Sequence, residues 1–282
     1  MKILTFDIED WFHILDNPST SNQFNWKNFE SRIEVGVDKI LNLLKSNNLN
    51  ATFFILGWMA EKHPNIIKKI SNLGFEIGSH SHMHQLVYNQ SKNSFKNDLI
   101  KSIKTIEDCT GVKVKSFRAP GFSITANCKW SFELLAECGI EYDCSVFPTG
   151  RSHGGLPEYK FAYPSILSYN GINLKEFPLN TFNLFGYPLV FSGGGYFRLF
   201  HHKIIDYMMH KSDYVMTYFH PRDFDPNQPM VPGLSCKRKF KSYVGLRNTE
   251  KKLDIMLKKY HFTDLQTASS QINWDDIPIV FL

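Results

Sequence analysis

Apolar and polar positions along the first half of the chain follow two alternating periods. Residues 2–8, KILTFDI, form an apolar run that leads into the acidic cluster Asp7, Glu9 and Asp10, as expected of a buried strand that delivers carboxylates at its C-terminal end. Ile33, Val37, Ile40, Leu41 and Leu44 then recur at helical spacing, and residues 51–56, ATFFIL, give a second strand-like run after the polar stop SNNLN. A helix predicted over 59–73, with Ile66, Ile67, Ile70 and Leu73 on one face, ends at Gly74 and is followed by a short strand over 75–78. The alternation continues with a helix over 92–109, a strand over 112–117, a helix over 128–138 and a strand over 140–144. It then loosens into loop-rich stretches over 147–170 and 178–196, the second containing Gly193, Gly194 and Gly195. A strand over 214–219, a helix over 249–259 and a strand over 261–265 resume it.

Strands alternating with helices of this length predict an α/β fold of parallel units, closed into a barrel or laid out as a doubly wound sheet. Either arrangement gathers chemistry at the C-terminal ends of the strands. The chain shows no internal repeat and no low-complexity stretch, so the long middle loops read as insertions that build a site.

Composition narrows the function classes. The 282 residues are 43% hydrophobic and carry 32 basic against 27 acidic side chains, which excludes disordered and fibrous classes. The net charge of +5 has no basic run beyond Lys237-Arg238-Lys239, so nucleic acid is not an expected partner. The five cysteines, Cys109, Cys128, Cys138, Cys144 and Cys236, are odd in number, irregularly spaced and contain no CxxC pair, the usage of reduced, buried thiols. Lys2 is followed by only Ile-Leu-Thr-Phe before Asp7, too short an apolar stretch for a signal peptide, and no run suits a transmembrane segment. These features predict a cytoplasmic location.

Polar clusters fall where predicted strands stop: Asp7, Glu9 and Asp10 after the first, His80, Ser81, His82 and His84 after the FEIG run, Arg118 after KSF, Asp143 within the 140–144 run, and His220 after YVMTYF. In a parallel barrel these ends share one mouth. His80 and His84 have a spacing that can ligate one divalent ion, and a carboxylate from another strand end would complete a two-His, one-carboxylate site with room for water. Such a site suits hydrolysis, because the ion lowers the pKa of water and polarises a carbonyl.

The ordered set TFDIEDW (5–11), EIGSHSHMH (76–84), FRAPGFS (117–123), YDCSVFP (142–148) and YFHP (218–221) resembles the NodB-homology polysaccharide deacetylases, carbohydrate esterase family 4. Together with the EFPL, GGGYFRLF and YFHPRDFDP strings, it looks closest to the branch found in bacterial exopolysaccharide and lipopolysaccharide gene clusters. The resemblance spans about residues 2 to 265 and implies one domain over 1–282, a distorted (β/α) barrel of about seven parallel strands with loop insertions. It implies His80 and His84 as metal ligands, Asp7 as general base, Arg118 as the partner that orients Asp7, and His220 as general acid, with Zn2+ the expected ion. A backbone N–H near Gly121 would help to stabilise the oxyanion.

The chain departs from the family pattern at Ile8, where the carboxylate ligand would fall and where this side chain can ligate nothing. Strand alternation puts Glu9 on the face of Asp7, so Glu9 is the expected third ligand, with Asp10 the alternative if the strand has already ended. His82 is expected at the rim. Phe122, Asp143, His153 and Tyr196 are candidates for the substrate side of the site: Phe122 by stacking on a sugar, Asp143 by bonding the acid histidine, His153 by lining the sugar pocket, and Tyr196 beside the glycine run. The resulting expectation is a metal-dependent N-deacetylase of an amino sugar, acting on a nucleotide- or lipid-linked carbohydrate whose phosphates would suit the +5 charge. Two rivals are hydrolysis of another C–N bond, as by a deformylase or cyclic amidase, and a non-catalytic carbohydrate-binding relative. Retention of Asp7, Arg118 and His220 together speaks against the last.

Overall fold

A computed structural model describes residues 1–282 apart from 16, 151–153 and 185. Seven short parallel strands frame the site: β1 (Thr5–Ile8), β2 (Thr52–Ile55), β3 (Glu76–Ser79), β4 (Ser116–Phe117), β5 (Tyr142–Asp143), β6 (Ile172–Glu176) and β7 (Val215–Met216). The order β1-β2-β3-β4-β5-β6 runs as one continuous parallel set. β7 joins the other edge through Lys2–Ile3 and a parallel bridge between Phe6 and Phe219. Between β6 and β7 closure passes through side chains as well as backbone: Asn180 Oδ1 accepts the Met216 N–H at 3.0 Å, and Tyr214 Oη donates to the Pro178 carbonyl at 2.8 Å. The result is a distorted (β/α) barrel.

Strand alternation divides the core into two layers. Phe6, Ile8, Phe53 and Ile55 point outward into the large cluster shared with the helices, including Ile33, Val37, Ile40 and Leu44 of helix Ile33–Asn47. Phe54, Phe122, Cys144, Phe177, Met216 and Tyr218 form the smaller cluster, which Leu265 and Ala268 of helix Leu265–Ser270 join. Helix Ile33–Asn47 lies against the turn after β7. A Cβ on Gly36 would stand 2.2 Å from the Pro221 carbonyl oxygen, so only glycine permits the approach that seats the residue following His220.

Several elements differ from expectation. The helix predicted over 59–73 is broken into Gly57–Lys62 and Pro64–Asn72, because Pro64 has no N–H to continue the first ladder and is suited to open the second. The strands predicted over 112–117 and 140–144 are two residues each, and the run over 261–265 supplies one bridge, Ile3 to Thr263, before a helix starts. The loop-rich reading of 147–170 and 178–196 overlooked an antiparallel hairpin, Ser165–Tyr169 with β6. Its turn is Asn170-Gly171, both at positive φ (46° and 83°), the two-residue sequence that hairpins favour. Helices Gly194–Leu199 and His202–Lys211 also lie beyond the predicted elements. The glycine run has a structural use: Gly193 bridges Tyr218, where a Cβ would sit 2.1 Å from the Tyr218 carbonyl oxygen.

Candidate active site

Two carboxylates reach the mouth from the end of β1. Asp7 is buried, and its Oδ1 accepts a 2.7 Å hydrogen bond from Arg118 Nη1, which also donates to Thr5 Oγ1 at 2.7 Å. Arg118 is wholly buried, with its guanidinium 4.3 Å from the centre of the Phe54 ring. The other oxygen, Asp7 Oδ2, lies 3.8 Å from His220 Nε2. Glu9, two residues on, faces the same space: its Oε1 is 3.5 Å from His220 Nε2 and its Oε2 2.5 Å from His84 Nε2.

The loop after β3 carries the histidines. His80 Nδ1 donates to the Arg118 carbonyl at 2.8 Å, because a carbonyl can only accept, and this leaves Nε2 with its lone pair exposed to the site. Burial pushes the His80 imidazole down to about 4, so at neutral pH it is an uncharged donor. Ser81 and His84 both occupy the left-handed region, φ 64° and 51°, which non-glycine residues seldom adopt. The surroundings hold them there: Ser81 Oγ accepts the His84 N–H at 3.0 Å, and the Asp98 carboxylate accepts the N–H groups of His82 and Met83 at 2.7 and 2.9 Å. Such concentrated backbone strain is characteristic of sites whose geometry matters more than local stability.

Ligand atoms of Glu9, His80 and His84 lie within 4.8 Å of one another, all three residues buried; among the described residues this is the group that could hold a metal ion. Glu9 Oε2 is buried and its close contact is His84 Nε2 at 2.5 Å, which brings two of the candidate ligand atoms together. Burial alone would raise the Glu9 pKa, but the imidazoles of His84, His220 and His80 outweigh it and hold the carboxyl well below its ordinary range. The donor set, one carboxylate and two imidazoles, is that of catalytic zinc sites with an open position.

Asp10 turns away from this group. Its carboxylate accepts hydrogen bonds from Trp11 N, Ser31 Oγ and Arg32 N and so fixes the segment that leads into helix Ile33–Asn47. β1 ends at Ile8 and the Glu9 N–H turns back to the Asp7 carbonyl at 3.1 Å, yet the Glu9 carboxylate still faces His84 and His220, whereas that of Asp10 does not.

His220 is oriented by a residue that sequence reasoning missed. Asp223 Oδ2 is 3.2 Å from His220 Nδ1 and accepts the His220 backbone N–H at 3.0 Å, while Oδ1 is 3.0 Å from Arg198 Nε. Arg198 is also buried and donates to the carbonyls of Ser242 and Val244 at 2.7 and 3.2 Å. Burial would lower the His220 pKa, but the hydrogen bond to Asp223 and the charges of Glu9, Asp223 and Asp7 outweigh it and raise it to about 9. The HPRD spacing, a histidine with an acid three residues later, was the available signal.

The other candidates that the structure describes make different contacts, and of these the Phe122 ring centre lies 5.6 Å from the Arg118 guanidinium. Asp143 does not bond His220; it pairs with Glu176, its register neighbour on β6, and accepts from Ser145 Oγ at 2.6 Å. Phe122 is buried against Phe147 and Tyr218, with no face free for a sugar. Gly121 supplies a left-handed turn residue, φ 62°. Tyr196 is exposed and stacks on Phe200. His82 is buried rather than at the rim, its Nδ1 close to Gly57. His153 lies outside the described residues.

Residues 18–142 match the polysaccharide deacetylase family, and residues 144–270 match a domain of unknown function, DUF3473. His80, His84 and Arg118 fall in the first match and His220 in the second, while β5 and β6, one from each, pair in a single sheet. A peptidoglycan-N-acetylglucosamine deacetylase of Bacillus cereus is 40% identical over 96 residues, 34% of this chain and 35% of the relative. A peptidoglycan deacetylase of Helicobacter pylori is 33% identical over 115 residues, 40% of this chain and 38% of the relative. The matched segments thus span little more than a third of these curated relatives. A putative polysaccharide deacetylase from Mycobacterium smegmatis shares the fold, with a TM-score of 0.67 at 18% identity over 100% of this chain and 92% of that one. A CE4 family pseudoenzyme from Bacillus anthracis superposes with a TM-score of 0.55 at 15% identity, over 100% of this chain and 69% of that one. Residues 18–142 are thus similar to the polysaccharide deacetylases, and the whole chain shares the fold of the Mycobacterium smegmatis protein.

Proposed function

We propose that this protein is a metal-dependent hydrolase that removes an N-acetyl group from an amino sugar of a bacterial surface polysaccharide or of its lipid- or nucleotide-linked precursor. The observation that carries the reading is the pair Asp7 Oδ2 and His220 Nε2, 3.8 Å apart and adjoining the Glu9, His80 and His84 group. A base and an acid beside a candidate metal centre form the minimum set for amide hydrolysis.

Glu9, His80 and His84 would hold a divalent ion, with Zn2+ favoured by the donor set; when bound, it supplies acidity to water and polarises the amide carbonyl. Arg118 occupies Asp7 Oδ1, which leaves Oδ2 to accept the proton of the attacking water. His220, charged at neutral pH and held by Asp223, delivers the Nε2 proton to the sugar nitrogen as the C–N bond breaks. Water and amide are consumed, and acetate and a free amine are released.

Within this reading the whole of residues 1–282 acts as one unit, because His80, His84 and Arg118 lie in the first family match, His220 in the second, and Asp7 and Glu9 ahead of both. A non-catalytic role is the second reading, since the fold also serves a pseudoenzyme; here the retained Asp7, Arg118 and His220 favour hydrolysis. The test is incubation of zinc-loaded protein with N-acetylated amino-sugar oligosaccharides. Acetate and new primary amines should appear in equal amounts, whereas release of neither from oligosaccharide, nucleotide-linked or lipid-linked substrates would refute the proposal.

A further inference from the structure

The net charge of the chain is not spread evenly. Between Asp225 and Glu250 there is no carboxylate, while Lys237, Arg238, Lys239, Lys241 and Arg247 lie in that interval, as many cations as the chain's whole net charge of +5. Four of them belong to helix Cys236–Tyr243, which has no buried residue. Lys237, Phe240 and Lys241 lie on one face at i, i+3 and i+4, and Lys239 is exposed on the opposite side of Phe240. Phe240 is 59% exposed, and so is Met230 at the start of the same interval. Among the described residues no carboxylate pairs with Lys237, Lys239 or Lys241. By contrast Arg238 Nη2 donates inward to the Leu15 carbonyl at 2.6 Å, which fixes which side of the helix faces out.

An exposed aromatic ring ringed by lysines is poorly explained as a solvated surface, because the ring gains nothing from water, and a soluble polyanion would engage the lysines but not the ring. Both are satisfied together at a bilayer interface, where a ring enters the acyl boundary and ammonium groups meet anionic headgroups. We propose that the outer face of helix Cys236–Tyr243, with Met230, docks the protein on an anionic lipid bilayer. The attachment proposed is peripheral; no helix among the described residues is long and apolar enough to cross a membrane. It is also connected to the candidate site: Arg198, which contacts Asp223, donates to the carbonyls of Lys241, Ser242 and Val244 at the end of this helix. Docking would therefore set the site at a fixed place relative to the headgroups.

The test is co-sedimentation of the full chain with phosphatidylcholine vesicles that contain or lack about one third phosphatidylglycerol. The protein should sediment with the anionic vesicles at low salt and progressively less as salt screens the headgroups. Lys237→Glu combined with Lys239→Glu should weaken binding on the order of tenfold or more, and Phe240→Ser should weaken the part that survives high salt. Circular dichroism should show all variants folded. Equal sedimentation with both vesicle types, wild-type binding by the double variant, or capture by heparin or polyphosphate without any vesicle binding would each overturn the proposal.

Discussion

Asp223 holds His220 by two contacts, one to the ring Nδ1 at 3.2 Å and one from the backbone N–H at 3.0 Å, so the imidazole is fixed in direction as well as favoured in its charged form. Asp223→Asn keeps the shape and removes the charge. In the metal-free protein the His220 titration, followed by NMR, should move from about 9 down toward the ordinary histidine range. The alkaline limb of the kcat profile should shift the same way, with rate lost first at high pH. An unmoved titration would show that Asp223 does not set the protonation of His220.

Asp7 stands between Arg118 and the open space of the site, so removing its charge should affect the proton and leave the metal group intact. Asp7→Asn should lower kcat on the order of 10²- to 10⁴-fold while bound metal, read by elemental analysis, stays at the wild-type level. Full activity in that variant would exclude Asp7 as the base. Arg118→Met, by contrast, leaves a buried carboxylate unpaired and should cost about 3–5 kcal/mol in unfolding free energy.

Glu9 and Asp10 are adjacent in sequence and opposite in use. Glu9→Gln should lose metal with little change in thermal stability. Asp10→Asn should keep metal and, because the amide oxygen can still accept from Arg32 N, leave the start of helix Ile33–Asn47 largely intact. Metal loss confined to the Asp10 variant would reverse the assignment.

The Asp143 and Glu176 carboxyls face each other in a buried site, where Asp143 Oδ2 and Glu176 Oε2 find no other donor, so the pair retains a proton. Burial raises Asp143 to about 6; burial and Asp143 together raise Glu176 well above its ordinary value. The folded state therefore binds more protons than the unfolded state once pH exceeds the unfolded carboxyl range near 4, and stability falls as pH rises through the folded values. Glu176→Gln can still donate to Asp143 and removes the shared titration. Its melting temperature should depend less on pH than the wild type's between about 5 and 8 and exceed it at the upper end, at roughly 2–4 °C per kcal/mol. Parallel pH profiles would contradict the shared proton.

Much of this arrangement was readable from residue pattern. The spacing of Asp7 and Glu9 suggested that both face one side, Ile8 was set aside because its side chain cannot ligate, and the strand-end positions of Arg118 and His220 pointed to the same mouth. What could not be read is what depends on contacts across the chain. Asp98 reaches the His82 loop from the inner side of helix Lys92–Thr110, and Arg198 reaches Asp223 from a helix that followed no clear periodicity. Asp143 was misplaced for the same reason, since its partner Glu176 sits on a strand that lay outside the predicted elements and was marked locally only by Asn170-Gly171.

Hydrolysis as proposed requires that Glu9, His80 and His84 hold a metal ion beside the Asp7 and His220 pair. An anomalous-difference map at the zinc edge, from crystals of the zinc-loaded protein, tests it most directly. One strong peak should lie about 2.0–2.2 Å from a Glu9 carboxylate oxygen and from one nitrogen each of His80 and His84. A zinc-loaded crystal with no peak there, or with its peak on Asp10 instead of Glu9, would contradict it.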